Sequence, residues 1–283
     1  MKKSRIDYEN QVFEGDSMYF DNARSFASAT NNIKVTDTAN NSIVKGHYAE
    51  IYKVKDSVFI TKRALAITVQ ENDSIYMHAD TLMVTGKAEK RITRAFRNAK
   101  FFKSDMSGKA DSVHVNHKTG LTQLINLSHL DVNDIFTTKR RPILWNLGNQ
   151  MTGDTIHIKS NPKTEKVDSL VVFDNAFIIR KDTLNAGYNQ ITGKNLIGLF
   201  SDENKLKQVD INKNAEIEIV IDQNTKSALR GRGAGTLLIE INTLGKFNMW
   251  GDFIVYEGIY DFRYGKIIRK EIEVERGGTI TWD

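Results

Sequence analysis

The stretch Glu216-Ile217-Glu218-Ile219-Val220-Ile221-Asp222 decides the fold class, because isoleucine occupies every second position. Successive side chains of a β-strand point to opposite faces, so this alternation predicts a strand with one apolar face. The same period of two recurs along the whole chain, whereas helical periodicity is nearly absent. The sequence therefore predicts an all-β protein.

Apolar residues of one parity recur in several other runs, and we expect them to form one continuous apolar face. Alternation by itself favours the filled core of a β-sandwich. The set predicted to line this face is Leu65, Ile67, Val69, Val171, Phe173, Phe177, Ile179, Ile217, Ile219, Ile221, Leu237, Ile239, Ile241, Phe247, Met249, Phe253 and Val255.

A loose internal repeat favours an open apolar trough over a filled core. A small residue in a polar turn leads into a strand at Gly15, Gly46, Ala79 and Gly108, so that the successive steps are all close to thirty. Such a period predicts stacked hairpin units, none of which can bury its own apolar face. An extended sheet of such units, incompletely folded over, would leave its apolar stripe lining a trough wide enough for acyl chains.

Composition sets limits on the chemistry. The chain has 283 residues, with 40 Lys and Arg against 35 Asp and Glu, and no cysteine. Disulfides, thiolate metal sites and cysteine nucleophiles are therefore excluded. No apolar run approaches the roughly 20 residues that span a bilayer. The first residues carry charges without a following apolar segment, so we expect a cytoplasmic protein or the mature or truncated part of an exported one.

The candidate catalytic and ligand-binding motifs favour structural roles. The run Gly231–Gly235 precedes a strand rather than a helix, which favours a turn or bulge over a phosphate cradle. His114 and His117 are three apart, which places them on opposite faces of a strand and disfavours a shared metal. The recurring carboxylates, expected to be turn or capping groups, are Asp16, Glu50, Asp80, Asp111 and Asp154. We expect no enzyme activity, no cofactor, no metal and no nucleic-acid partner.

The basic run Lys139-Arg140-Arg141 precedes Pro142. Such a run is often a solvated loop tip. It is also suited to contact the anionic head group of a lipid.

Residues 1 to about 214 resemble the OstA-like lipopolysaccharide-transport family. The resemblance rests on the unit Gly15–Asp21 with its copies, and on Asn98–Phe102 and Asn175–Ile179. It implies a periplasmic bridge protein whose repeated strands form a β-taco or jelly-roll trough.

Residues 215–283 resemble the C-terminal domain of the TamB-like translocation and assembly family, as a truncated copy. The matching motifs are Arg230–Gly233, Leu238–Gly245, Phe247–Asp252, Glu257–Tyr260 and Gly277–Asp283. This family implies long β-taco proteins, phospholipid transfer and outer-membrane protein biogenesis. We expect domains 1–214 and 215–283 with a sheet that continues across Ala215.

Together these features predict a non-catalytic periplasmic protein of a Gram-negative bacterium. It would carry lipopolysaccharide or phospholipid along an apolar β-trough toward the outer membrane. Other β-trough proteins would join it by edge-to-edge strand pairing, and outer-membrane assembly or translocation proteins would be further partners. The alternative is an assembly scaffold with a filled core that acts only through its edges. A glycan-processing enzyme, the third class, would need two clustered carboxylates in a cleft.

Overall fold

A computed structural model describes residues 4–8, 10–39, 41–69, 74–87, 90–126, 141–146, 148–164, 166–181, 188–203, 206–222, 225–241, 247–264 and 267–282. In these ranges the chain forms twenty β-strands and one short 3-10 helix, Lys53–Lys55. The prediction of an all-β fold is confirmed. Within these ranges, no helix has the length and hydropathy of a membrane-spanning segment.

The chain divides into two compact units, residues 1–142 and 143–283. The strands of the first unit are β1 Ser4–Tyr8, β2 Gln11–Gly15, β3 Ser17–Asp21, β4 Phe26–Asp37, β5 Ser42–Tyr52, β6 Ser57–Val69, β7 Ser74–Thr85, β8 Ile92–Lys103, β9 Met106–Asn116 and β10 Leu121–Ile125. Those of the second unit are β11 Ile143–Asn146, β12 Asn149–Thr152, β13 Thr155–Ser160, β14 Val167–Lys181, β15 Tyr188–Phe200, β16 Leu206–Asp222, β17 Ser227–Ile241, β18 Phe247–Tyr264, β19 Ile268–Val274 and β20 Thr279–Trp282.

The first unit is an antiparallel meander. Each strand from β4 to β9 pairs with the next strand in sequence. Strands β2 and β3 both pair with β4, one on each side of a bend in that strand. Since all these connections are local, the repeat seen in the sequence becomes a stack of hairpins.

A corner bends each long strand of the first unit at the same level. Two consecutive residues of β4, β6 and β8 adopt left-handed φ values between 52° and 63°, at Asn31-Asn32, Lys62-Arg63 and Arg97-Asn98. One residue of the following strand lies opposite each pair, which is the two-against-one count of a β-bulge. The bulge bends the strand while the ladder resumes on both sides.

Buried and mostly small residues fill the inside of this corner. In β4, β6 and β8 they directly follow the left-handed pair, and in the next strand they directly precede the residue that lies opposite the pair. These residues are Ile33, Gly46, Ala64, Ala79, Ala99 and Ala110. At Gly46 a β-carbon would overlap the side chain of Ile60 and lie 3.1 Å from the carbonyl oxygen of Thr61. The bend therefore requires a small residue there, because neighbouring strands approach closely.

Hydrogen bonds between asparagine and aspartate side chains hold the outside of the corner. The Nδ2 of Asn32 donates to Asp16 at 2.8 Å, and the Nδ2 of Asn98 donates to Asp80 at 3.1 Å. In the second unit Asn175 donates to Asp154 at 2.9 Å. The structural role predicted for these three carboxylates is confirmed.

The other two recurring carboxylates have different contacts. Glu50 accepts hydrogen bonds from the hydroxyls of Tyr48 at 2.5 Å and Tyr52 at 2.9 Å, and these bonds raise the pKa of both tyrosines. Asp111 is buried and accepts a hydrogen bond from the hydroxyl of Ser112 at 3.3 Å.

In one of the predicted copies of the repeat, the small residue of the corner is not the one that we predicted. Ala110, not Gly108, precedes the residue that faces the left-handed pair Arg97-Asn98. The third step of the repeat therefore runs from Ala79 to Ala110, two positions farther than predicted. Gly108 has a separate reason to be small, because a β-carbon there would overlap the ring of Phe101.

The second unit repeats this architecture. Strands β12 and β13 both pair with β14 on either side of the left-handed pair Asp174-Asn175. The amide of Asp154 reaches the carbonyl oxygens of Phe173 and Asp174 at 3.1 and 3.0 Å, as the amide of Asp16 reaches Asn31 at 3.1 Å. Strand β16 runs unbroken through Ala215. The predicted boundary between residues 214 and 215 therefore falls inside one strand, and the change of repeat type there stays a prediction.

An ion-pair cluster fastens the hairpin of β18 and β19. Asp261 accepts hydrogen bonds from Arg263 Nη2 at 2.6 Å and Arg269 Nε at 3.1 Å. The hydrogen bond from Arg263 is the strongest influence, and together with Arg269 it outweighs the opposing effect of burial. The pKa of Asp261 falls from 3.8 to about 2.

We predict that replacing Asn98 with alanine lowers the free energy of unfolding by about 1–2 kcal/mol, because alanine adopts the left-handed backbone less readily than asparagine and lacks the amide that donates to Asp80. Asn98→Gly is the matched control, since glycine also lacks the amide but adopts a positive φ freely. Urea unfolding followed by circular dichroism measures both. Equal losses in the two variants would show that the hydrogen bond to Asp80, and not the backbone, dominates.

We also predict the pH dependence of the Asp261 cluster. Because the folded pKa lies below the unfolded value, the contribution of the cluster to stability is present above pH 3.8 and is lost as the pH falls through about 2. Carboxyl ¹³C NMR should show a midpoint near 2 for Asp261. Arg263→Gln should raise that midpoint, and an unchanged midpoint in this variant would contradict the assignment.

Candidate functional site

A buried apolar ladder crosses seven strands of the first unit on the inside of the corner. Each member pairs in register with the next, and the order is Ala29, Ala49, Ile60, Leu82, Ala95, Val113 and Leu124. Six of them are buried, and Ala29 at the β4 end is half-buried. We call the side of the sheet that carries this ladder the inner face.

Two further rows, apolar but for one threonine, flank the buried ladder on the inner face. One row, on the other side of the corner, is Val35, Val44, Ala66, Met77 and Phe101. The other row, farther from the corner, is Ala27, Ile51, Val58, Val84, Thr93 and Val115. All eleven residues are half-buried rather than buried. The inner face is therefore closed at the corner and accessible along both flanks.

The second unit carries its own buried inner ladder. Val172, Leu196 and Ile211 pair in register, and the row ends at Gly235 and Phe253. A β-carbon at Gly233 or Gly235 would lie 2.7 or 3.0 Å from the ring of Phe253. The glycines of Gly231–Gly235 thus lie within strand β17 and make room for an aromatic ring. The predicted turn or bulge is confirmed as a bulge, since the register of β17 against β18 shifts between Arg232 and Gly233.

Seven of the predicted lining residues lie on the opposite side of the sheet, which in each unit we call the outer face. Leu65 pairs with Lys45 and His78, Ile67 pairs with Tyr76, and Val69 is 46% exposed. In β14 the buried residues are Leu170, Val172, Ala176, Ile178 and Arg180. The predicted set Val171, Phe173, Phe177 and Ile179 has the other parity and is half-buried.

This difference has a simple physical cause. The strand β14 contains Leu170, Val171, Val172 and Phe173 in succession, so both of its faces are apolar and the alternation does not mark the buried one. The left-handed pair then shifts the register of β14 against β15. The lipid-contacting role of these seven residues stays a prediction, and their position places them away from the inner face.

The C-terminal part of the predicted lining is described only in part. Phe253 and Val255 are on the inner face with 0% exposure, so protein covers them completely. Ile217 pairs with Ile191, which is buried on the inner face. Eight predicted residues have side chains outside the described part of the structure, namely Ile217, Ile219, Ile221, Leu237, Ile239, Ile241, Phe247 and Met249.

Only one of the three predicted head-group residues lies in the described part of the structure, and the grouping of the three stays a prediction. Lys139 and Arg140 lie outside the described residues, and Arg141 is half-buried.

The two histidines weighed as metal ligands have separate surroundings. His117 Nε2 lies 2.9 Å from the hydroxyl of Thr93, and His114 packs edge-on against Phe96 at 5.5 Å between ring centroids. Burial lowers the pKa of both histidines, with a smaller contribution from neighbouring arginines. Within the described ranges, histidine, aspartate and glutamate side chains form no group of three or more that could hold a metal ion.

Sequence reasoning missed a polar groove on the outer face of the second unit. Glu218 accepts hydrogen bonds from Gln190 at 2.6 Å and Arg230 at 2.9 Å, and Arg232 bridges Glu216 and Glu257. Burial raises the pKa of Glu218, but the bonds from Arg230 and Gln190 outweigh it and the net shift is downward. The groove encloses about 700 Å³. The sequence pattern that could have indicated this groove is two glutamates two positions apart, Glu216 and Glu218. The structure pairs them with Arg232 and Arg230 of the next strand.

Comparison with known proteins supports the resemblance to the TamB family. Residues 150–283 match the family model of the TamB C-terminal domain. Among solved structures, the chain is similar to LptH from Pseudomonas aeruginosa, described as the LptA homologous periplasmic component of the lipopolysaccharide transport device. That match has a TM-score of 0.40 and 12% identity, and covers 48% of this chain and 93% of LptH. No curated protein matches the chain. The similarity of residues 150–283 to the TamB C-terminal domain is the firmest of these relationships.

Proposed function

We propose that the chain is a non-catalytic periplasmic lipid-transport protein, in which lipid moves along the inner face toward the outer membrane. The observation that carries the proposal is the arrangement of the inner face in the first unit. A buried ladder closes the corner, and half-buried apolar rows extend along both flanks across five or six strands. The match of residues 150–283 to a TamB domain supports a role in the cell envelope.

The flanking rows suit acyl chains for a physical reason. They contain valine, isoleucine, methionine and phenylalanine but no charged residue, and they keep part of their surface accessible. Each acyl methylene that leaves water in such a groove gains roughly 0.8 kcal/mol. A chain of ten or more methylenes therefore binds strongly without any specific polar contact. Contacts of this kind let a lipid slide, because each step exchanges one apolar contact for another.

The cargo class follows from the same argument. A lipid with several acyl chains, such as lipid A or a phospholipid, fits a groove that runs across many strands. Strand edges would join successive troughs by adding strand to strand, with outer-membrane assembly or translocation proteins as further partners. No bond is made or broken in this mechanism, and the carboxylates of the corners have structural partners in Asn32, Asn98 and Asn175.

A second candidate function has its own supporting observation. Phe253, Leu124, Leu144, Met151 and several other large side chains are completely covered by protein. Such packing favours an assembly scaffold with a filled core, which acts through its edges. This scaffold would purify without lipid, whereas the lipid carrier would not.

We predict that Phe101→Asp lowers the amount of lipid that copurifies with the protein at least fivefold, because it places a charge in an apolar flanking row. Tyr19→Asp is the matched control, since Tyr19 is an aromatic residue that pairs with Ser28 on the outer face and is 58% exposed. Each protein is expressed with an export signal, purified without detergent and extracted with organic solvent for mass spectrometry. Lipid A or phospholipid in the extract of the unmodified protein identifies the cargo.

Circular dichroism checks that both variants keep their strands. If Phe101→Asp does not fold, Met77→Gln in the same row is the milder test. Equal lipid in the Phe101 and Tyr19 variants would remove the inner face from the transport path. A folded, lipid-free unmodified protein would favour the scaffold.

A further inference from the structure

The outer face of the first unit carries a row of cations. Across the strands from β4 to β9, the row reads Lys34, Lys45, Leu65, His78, Lys100 and Lys109. Lys45, Lys100 and Lys109 are exposed, and Lys34 lies 3.5 Å from Glu14 on the neighbouring strand β2. Neighbouring strands are about 4.8 Å apart, so the row extends for about 24 Å.

An apolar row lies beside the cations on the same face. It consists of Ile43, Ile67, Tyr76 and Phe102, which pair in register from β5 to β8. Tyr76 is 42% exposed and Phe102 is 55% exposed, and their rings are in contact at 6.4 Å between centroids. Val69 extends the exposed apolar area at the end of β6. These are unusual positions for apolar side chains, because the buried ladder is on the opposite face.

We infer that this outer basic surface, formed by Lys34, Lys45, Lys100, Lys109, Ile43, Leu65, Ile67, Tyr76 and Phe102, docks the protein on the surface of an anionic lipid bilayer. Two properties of the surface select this partner. Lysines attract the phosphates of an anionic leaflet, and exposed aromatic and aliphatic side chains enter the interface between head groups and acyl chains. Lysine stems also cover apolar surface while their ammonium groups stay in water.

This surface is distinct from the proposed lipid path. Phe101 and Phe102 are consecutive residues of β8 on opposite faces, so cargo on the inner face and a bilayer on the outer face would contact different side chains. Docking would hold the trough close to a membrane while its interior stays available to cargo. The inference therefore does not depend on the proposed transport function.

The test is cosedimentation of the full chain with vesicles. Vesicles of phosphatidylcholine mixed with a smaller share of phosphatidylglycerol present the anionic surface, and pure phosphatidylcholine vesicles present a neutral one. We expect strong binding to the anionic vesicles that weakens as salt is raised. Lys45→Glu/Lys100→Glu should weaken this binding at least tenfold, because it reverses two exposed charges of the row. Tyr76→Ser/Phe102→Ser should weaken it as well.

The matched control is Lys87→Glu/Lys118→Glu. Both lysines are exposed outside the strands of the first unit, after β7 and between β9 and β10, and the change in net charge is the same. Binding that falls equally in both double variants would overturn the assignment of the surface, as would equal binding to neutral and anionic vesicles. Analytical ultracentrifugation tests the other outcome. If the unmodified protein does not bind vesicles but forms dimers, and Lys45→Glu/Lys100→Glu dissociates these dimers, the surface contacts a second copy and the inference is wrong.

Discussion

The bend in each long strand is the constraint on which the rest of the first unit depends. A strand that turns through a corner must resume its hydrogen bonds with both neighbours on the far side. Pairs of left-handed residues opposite a single residue achieve this, at Asn31-Asn32, Lys62-Arg63 and Arg97-Asn98. Because the bends stack at one level, the inside of the corner is narrow. Small residues such as Ala64, Ala79 and Ala99 fit there without displacing a neighbouring strand.

The corner also determines where the molecule can hold a ligand. Next to the bend the inner face is sealed, since Ile60, Leu82 and Val113 are buried against it. Farther out the rows remain apolar but only half-buried. A lipid would therefore contact the flanks and not the residues at the vertex. The same reasoning explains why the fully covered Phe253 supports the fold of the second unit, where its ring lies against the glycines of β17.

The two faces of the sheet divide the chemistry between them. The inner face is mostly apolar, with a few buried polar residues such as Arg180, whereas the outer face carries lysines and exposed aromatic residues in the first unit and paired glutamates and arginines in the second. Cross-strand pairs of opposite charge, such as Glu218 with Arg230, favour the register of neighbouring strands. Polar and apolar functions are thus separated by the thickness of one sheet. Under the proposed transport and docking, lipid cargo would contact the inner face while a charged surface contacts the outer face.

The amino-acid sequence by itself determined the all-β fold, the period near thirty and the structural role of Asp16, Asp80 and Asp154. These features follow from local patterns. Alternation of apolar and polar residues indicates strands, and a polar residue that recurs at a fixed spacing indicates a recurring turn. Only the tertiary structure decided which face is inside. The outer-face residues are as apolar as their buried neighbours, as Leu65, Ile67, Val171 and Phe173 illustrate. Alternation therefore separates the two faces of a strand but does not indicate which of them is buried. The direction of the bend, set by the left-handed pairs and by the small residues beside them, selects one face to bury and leaves the other exposed.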